Sequence, residues 1–60
     1  MRRRIIYKFL KFCIVTEFNS SALDYLELLS DKARKFGFIK DTDYVDLVLL
    51  LAQKFAEDAE

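Results

Sequence analysis

Residues 3–17 read Arg3-Arg4-Ile5-Ile6-Tyr7-Lys8-Phe9-Leu10-Lys11-Phe12-Cys13-Ile14-Val15-Thr16-Glu17, and the fold turns on whether they form a strand or a helix. Their types favour a strand, because Ile5, Ile6, Tyr7, Phe9, Phe12, Ile14, Val15 and Thr16 are β-branched or aromatic. Their order does not. Neither the odd nor the even positions are cleanly apolar, as a half-buried strand requires. On a helix, Arg4, Lys8 and Lys11 line up at i, i+4 and i+7. Ile5, Ile6, Phe9, Leu10 and Cys13 then lie on the other side, and only Val15 falls among the basic residues. Periodicity outweighs propensity, since tertiary burial overrides weak local preferences. The spacing predicts a helix over about 3–17, ended by Asn19-Ser20.

Two further helices follow. In the segment over about 21–36, Ala22, Leu26, Leu29, Ala33 and Phe36 recur at spacings of four and three, joined by Tyr25. Ser21 with Asp24 three residues on resembles a capping box. Asp31 and Lys35 form an i,i+4 pair. Gly37, the sole glycine, stands where a helix ending needs a left-handed residue, with Phe38 set to fold back on Ala33. The segment over about 42–58 opens with Asp41-Thr42-Asp43, which offers cap oxygens and early negative charge. Its apolar arc runs through Tyr44, Val45, Val48, Leu51, Ala52, Phe55 and Ala59, widened by Leu47 and Leu49, with Leu50 on the polar side. So wide an arc exceeds what one neighbouring helix covers. The expected core is Ile6, Phe9, Leu10, Cys13, Leu26, Leu29, Phe36, Val48, Leu51 and Phe55.

The chain has 60 residues, which bounds it to a single small domain spanning 1–60. Domains of this size bury only about 60% of the surface their unfolded chains expose, and they often rely on disulfides, a metal or a partner chain. One cysteine, Cys13, rules out an internal disulfide, and the absence of histidine removes the familiar zinc-ligand sets. Self-association is the remaining staple, and a twofold homodimer is the commonest closed form. The expected interface is on the third segment: Leu47, Val48, Leu51 and Phe55. Formal net charge is zero, but residues 1–18 carry five basic groups against Glu17, and the remainder carries five basic groups against nine acids. This basic head, Arg2, Arg3, Arg4, Lys8 and Lys11, suits either an acidic body or an anionic partner.

Several function classes are excluded. Without histidine there is no general base suited to neutral pH, and Ser20, Ser21 and Ser30 lack a group to activate them. One glycine cannot build a phosphate-cradling loop. Asp41, Asp43 and Asp46 resemble the opening of a calcium loop, but Asp46 and Ala52 occupy the places of its glycine and glutamate. No cofactor is expected, and no enzyme. Cys13 reads as a small buried hydrophobe. Lys8, Lys11 and Glu17 interrupt the apolar stretch that a signal peptide would need, so the expected setting is cytoplasmic. A membrane surface is disfavoured as a partner, because the basic edge is explained by solvent or an acidic subunit.

Nucleic acid is the remaining class. A helix-turn-helix reading fails on electrostatics: its second helix would bring Asp43, Asp46, Glu57, Asp58 and Glu60 toward phosphates, against Lys54 alone. The order of a basic β-prone N-terminus, a helix, a short turn and a second helix resembles ribbon-helix-helix repressors. That resemblance covers most of the chain in layout. It implies an α+β dimer whose paired N-terminal strands lie in the DNA major groove, with Lys8, Lys11 and Arg4 toward DNA. The first segment departs from it in length, in lack of alternation and in its many large apolar residues. The expectation is therefore an all-α unit of three short helices that assembles as a homodimer. Its expected function is that of a small non-catalytic regulatory or adaptor protein contacting another protein, with a DNA-binding regulator as the alternative.

Overall fold

A computed structural model describes residues 2–58. Its elements are α1 (Arg3–Thr16), α2 (Ser20–Lys35) and α3 (Asp41–Asp58), and there is no strand among the described residues. Residues 3–16 are thus helical, which removes the strand on which the ribbon-helix-helix resemblance depends. Ala59, placed on the apolar arc of the third segment, lies outside the described residues.

The helix ends have identifiable causes. The amino-terminal cap of α2 is Asn19, two residues earlier than the cap expected from Ser21 and Asp24. Its Oδ1 accepts from the Ser21 N–H at 2.9 Å and the Ala22 N–H at 3.2 Å. One carboxamide oxygen thereby satisfies two of the orphan donors, and Ser21 is drawn into the first turn. The other end of α2 is as expected. Gly37 has φ +79°, its N–H bonds the Arg34 carbonyl at 3.0 Å, and the Phe38 N–H reaches back to the Ala33 carbonyl at 2.7 Å. This is the paired bonding of a Schellman ending. In α3 the acids Asp41 and Asp43 stand in the first turn, where they complement the helix dipole.

Three contacts between α1 and α3 share one sequence offset: Arg4 with Asp43, Tyr7 with Asp46, and Val15 with Lys54. A constant offset means that α1 and α3 run parallel. The short turns then leave α2 antiparallel to both, in an up-down-up bundle.

The core collects Tyr7, Leu10 and Ile14 from α1, Leu23, Leu26 and Ala33 from α2, and Leu47 and Leu51 from α3, closed by Ile39 from the turn. Leu10, Leu26 and Leu51 are where the sequence puts them, and Ile6, Cys13 and Phe55 pack at the margin. Phe9, Leu29, Phe36 and Val48 differ from expectation and lie on the surface. Leu50, assigned to the polar side of α3, packs against the core instead. In α3 the buried face centres on Leu47 and Leu51 rather than on Val48, a turn of roughly one residue step, ~100°. No described helix is long and apolar enough to cross a membrane.

The αL geometry at Gly37 gives a clean test. A Cβ there meets nothing within 4 Å, so any cost of substitution is backbone strain and not a clash. Gly37→Ala is expected to lower stability by about 1 kcal/mol, and Gly37→Asn by less, read from urea midpoints at one fixed protein concentration.

Candidate functional site

The basic head divides into two groups. Arg4 Nη1 donates to Asp43 Oδ1 at 2.7 Å, and the Asp43 side chain is 9% exposed against 57% for Arg4. The Tyr7 hydroxyl donates to Asp46 Oδ2, and Lys11 Nζ lies 3.9 Å from the same oxygen. The Arg4 guanidinium also covers the Tyr7 ring, 4.8 Å from its centroid, which adds a cation–π contact. These side chains form a polar belt joining α1 to the first turns of α3. The hydrogen bond to the Asp46 carboxylate, helped by burial and opposed by Lys11, raises the Tyr7 phenol above its ordinary value of 10.0. Arg2, Arg3 and Lys8 make no ion pair among the described residues, and all three are exposed.

The far end of α1 is closed by α3 as well. Lys54 Nζ donates to the Val15 carbonyl at 3.1 Å and stands 4.5 Å from the centroid of the Phe18 ring. The last turn of α1 has no basic residue of its own, so Lys54 supplies the cation that its dipole favours. On α2, the expected Asp31–Lys35 pair forms at 3.1 Å, and Arg34 joins it at the same distance. Hydrogen bonds from Lys35 and Arg34 hold the Asp31 carboxyl below its ordinary range.

The apolar residues also divide. Leu47 and Leu51, two of the four placed at the interface, are enclosed by the chain's own core. Val48 is on the surface and Phe55 at the margin. The largest exposed apolar groups lie elsewhere. Ile5, Phe9 and Phe12 line the outer side of α1, with Phe9 64% and Phe12 66% exposed. Beside them a groove of about 250 Å³ opens between α1 and the end of α2, walled by Ile6, Phe9, Leu29, Phe36 and Phe38. Lys32 is the one charged residue in its lining. Phe36 is 72% exposed, its ring 6.2 Å from that of Phe38. A second, aliphatic stripe of Val45, Val48 and Leu49 faces outward on α3.

Sequence reasoning did not separate the outer stripe of α1 from its core face. The signal was present, since Arg2, Ile5, Phe9, Phe12 and Thr16 repeat at spacings of three and four. It was masked by the second apolar set, Ile6, Leu10 and Cys13, one position along. Comparison with protein-family models, with curated proteins and with solved structures yields no significant match.

Two measurements test the polar belt. In a double-mutant cycle of Arg4→Ala and Asp43→Ala, the expected coupling is about 1 kcal/mol, the exposure of Arg4 holding it below that of a buried pair. The Tyr7 shift stabilises the neutral phenol in the folded chain. Its contribution is therefore full below the ordinary value of 10.0 and is lost as pH rises through the folded value. Urea midpoints between about pH 8 and pH 11 are expected to fall more steeply for the parent chain than for Tyr7→Phe.

Proposed function

We propose that this chain is a small non-catalytic regulatory or adaptor protein, acting through protein–protein contact as a homo-oligomer. The observation that carries this reading is the exposed apolar surface of α1 and α2, where Ile5, Phe9, Phe12 and Phe36 are all at least 60% exposed. Contiguous apolar patches of this kind mark interaction surfaces in chains that do not aggregate. The α3 stripe through Val45, Val48 and Leu49 supports a second contact, with a different protein, on another side of the bundle. Arg2, Arg3 and Lys8 are free to steer an acidic partner toward the chain. A cytoplasmic setting belongs to the same reading, on the strength of one unpaired cysteine.

Sedimentation velocity at low micromolar concentration tests it. More than one chain per particle is expected, with the thermal midpoint rising as protein concentration rises. A monomer whose midpoint is independent of concentration overturns the oligomer.

A further inference from the structure

We infer that the occupant of the outer α1 stripe is α1 of a second copy, packed antiparallel about a twofold axis near Phe9. This rests on the oligomeric reading above and specifies its geometry.

The spacing supplies the first argument. Arg2, Ile5, Phe9, Phe12 and Thr16 recur as three, four, three, four, which is the seam of paired helices. All five are exposed. The seam is close to symmetric in sequence about Phe9: Arg2 and Thr16 each lie seven residues away, with Ile5 four before and Phe12 three after, an axial offset of only about 1.5 Å. An antiparallel mate centred there sets Phe9 against its own copy, Ile5 against the partner chain's Phe12, and Arg2 against the partner chain's Thr16. Isologous contact of this sort closes without leaving a free face for further copies.

Charge chooses the direction and the helix. Parallel pairing would stack the Arg2-Arg3-Arg4 cluster on its own copy. Antiparallel pairing brings Arg2 and Arg3 to the carboxyl end of the other α1, beside Glu17, where the dipole is negative and the helix has no basic residue of its own, only Lys54 reaching it from α3. The outer α3 stripe lacks this complementarity. Its helix begins with Asp41 and Asp43 and ends near Glu57, so an antiparallel mate would set acids against acids. Lys8 borders the α1 seam, and its long stem can carry the ammonium past the partner to solvent.

Area sets the breadth of face that this choice requires. A stable interface takes about 800 Å² per partner, roughly a fifth of this chain's 4390 Å². The seam alone is narrow, but Phe9 also walls the groove, so Leu29 and Phe36 widen the same face.

Cysteine cross-linking in a Cys13→Ser background tests the register, with each variant checked for helicity by circular dichroism. Phe9→Cys is expected to form a covalent dimer under dissolved oxygen. Ile5→Cys alone is not, because its two copies would lie about 12 Å apart along the axis, beyond the ~7 Å that a disulfide spans between Cα atoms. Ile5→Cys mixed with Phe12→Cys is expected to cross-link. Separately, Phe12→Asp should weaken the dimer about thirtyfold or more while the monomer keeps its helices, since Phe12 is outside the core. Self-linking of Ile5→Cys would show parallel pairing and overturn the inference. Dimers by sedimentation without any of these cross-links would also overturn it, leaving the oligomeric reading intact. A monomer by sedimentation removes both.

Discussion

Arg4, Tyr7 and Lys11 stand at i, i+3 and i+7 on α1 and meet Asp43 and Asp46, at i and i+3 on α3. This belt decides how α1 is turned. The helix is apolar over most of its circumference, so hydrophobic burial alone does not select a face. Burying Ile5, Phe9 and Phe12 in place of Tyr7, Leu10 and Ile14 would exchange one set of large side chains for another, each contributing about 1.5–3 kcal/mol on either face. Those contributions nearly cancel. The polar ones do not, since turning Arg4 away would leave the Asp43 carboxylate, only 9% exposed, without its cation. One Asp43 oxygen already has no protein partner, which makes the pairing of the other more consequential.

The same belt answers a problem created by topology. Parallel α1 and α3 bring two positive helix ends side by side, and α1 adds Arg2, Arg3 and Arg4 to that end. Positive side chains at a helix amino terminus are unfavourable. The acids of α3 serve both helices, favouring their own dipole and offsetting the basic start of α1. At the opposite end Lys54 reaches from α3 to the Val15 carbonyl. Thus α3 supplies acid where α1 is positive and a cation where α1 is negative.

This arrangement explains what could be read from the sequence. The three helices, the Gly37 ending and the Asp31–Lys35 pair were legible because each depends on residues within one turn of each other. The rotation of each helix was not. On α1 the expected face, Ile5 through Cys13, lies between the buried Tyr7-Leu10-Ile14 face and the exposed Ile5-Phe9-Phe12 stripe. On α2 it lies between buried Leu23-Leu26-Ser30 and exposed Tyr25-Leu29-Phe36. On α3 it lies between buried Leu47-Leu51 and exposed Val45-Val48-Leu49. A pattern centred on all apolar residues averages a core face and an outer face when a helix carries both. The tie-breaker was long-range, in acids nearly forty positions from the cations they bind. Ile39 was missed for a related reason: it sits in a turn, outside any helical period, yet is almost fully buried.

The charge asymmetry between the first 18 residues and the rest takes on a narrower meaning. Arg4 and Lys11 are committed to Asp43 and Asp46 within one chain, so the pairing of head with body is largely internal. Arg2, Arg3 and Lys8 are what remain for contacts beyond the chain. Three exposed cations contribute little affinity in water, where single surface pairs are worth about 0–1 kcal/mol. Phenylalanine rings that are two-thirds exposed contribute far more once covered. On the proposed reading, recognition by this surface is hydrophobic in strength and ionic in direction, the aromatic residues holding a partner and the arginines selecting which way round it lies.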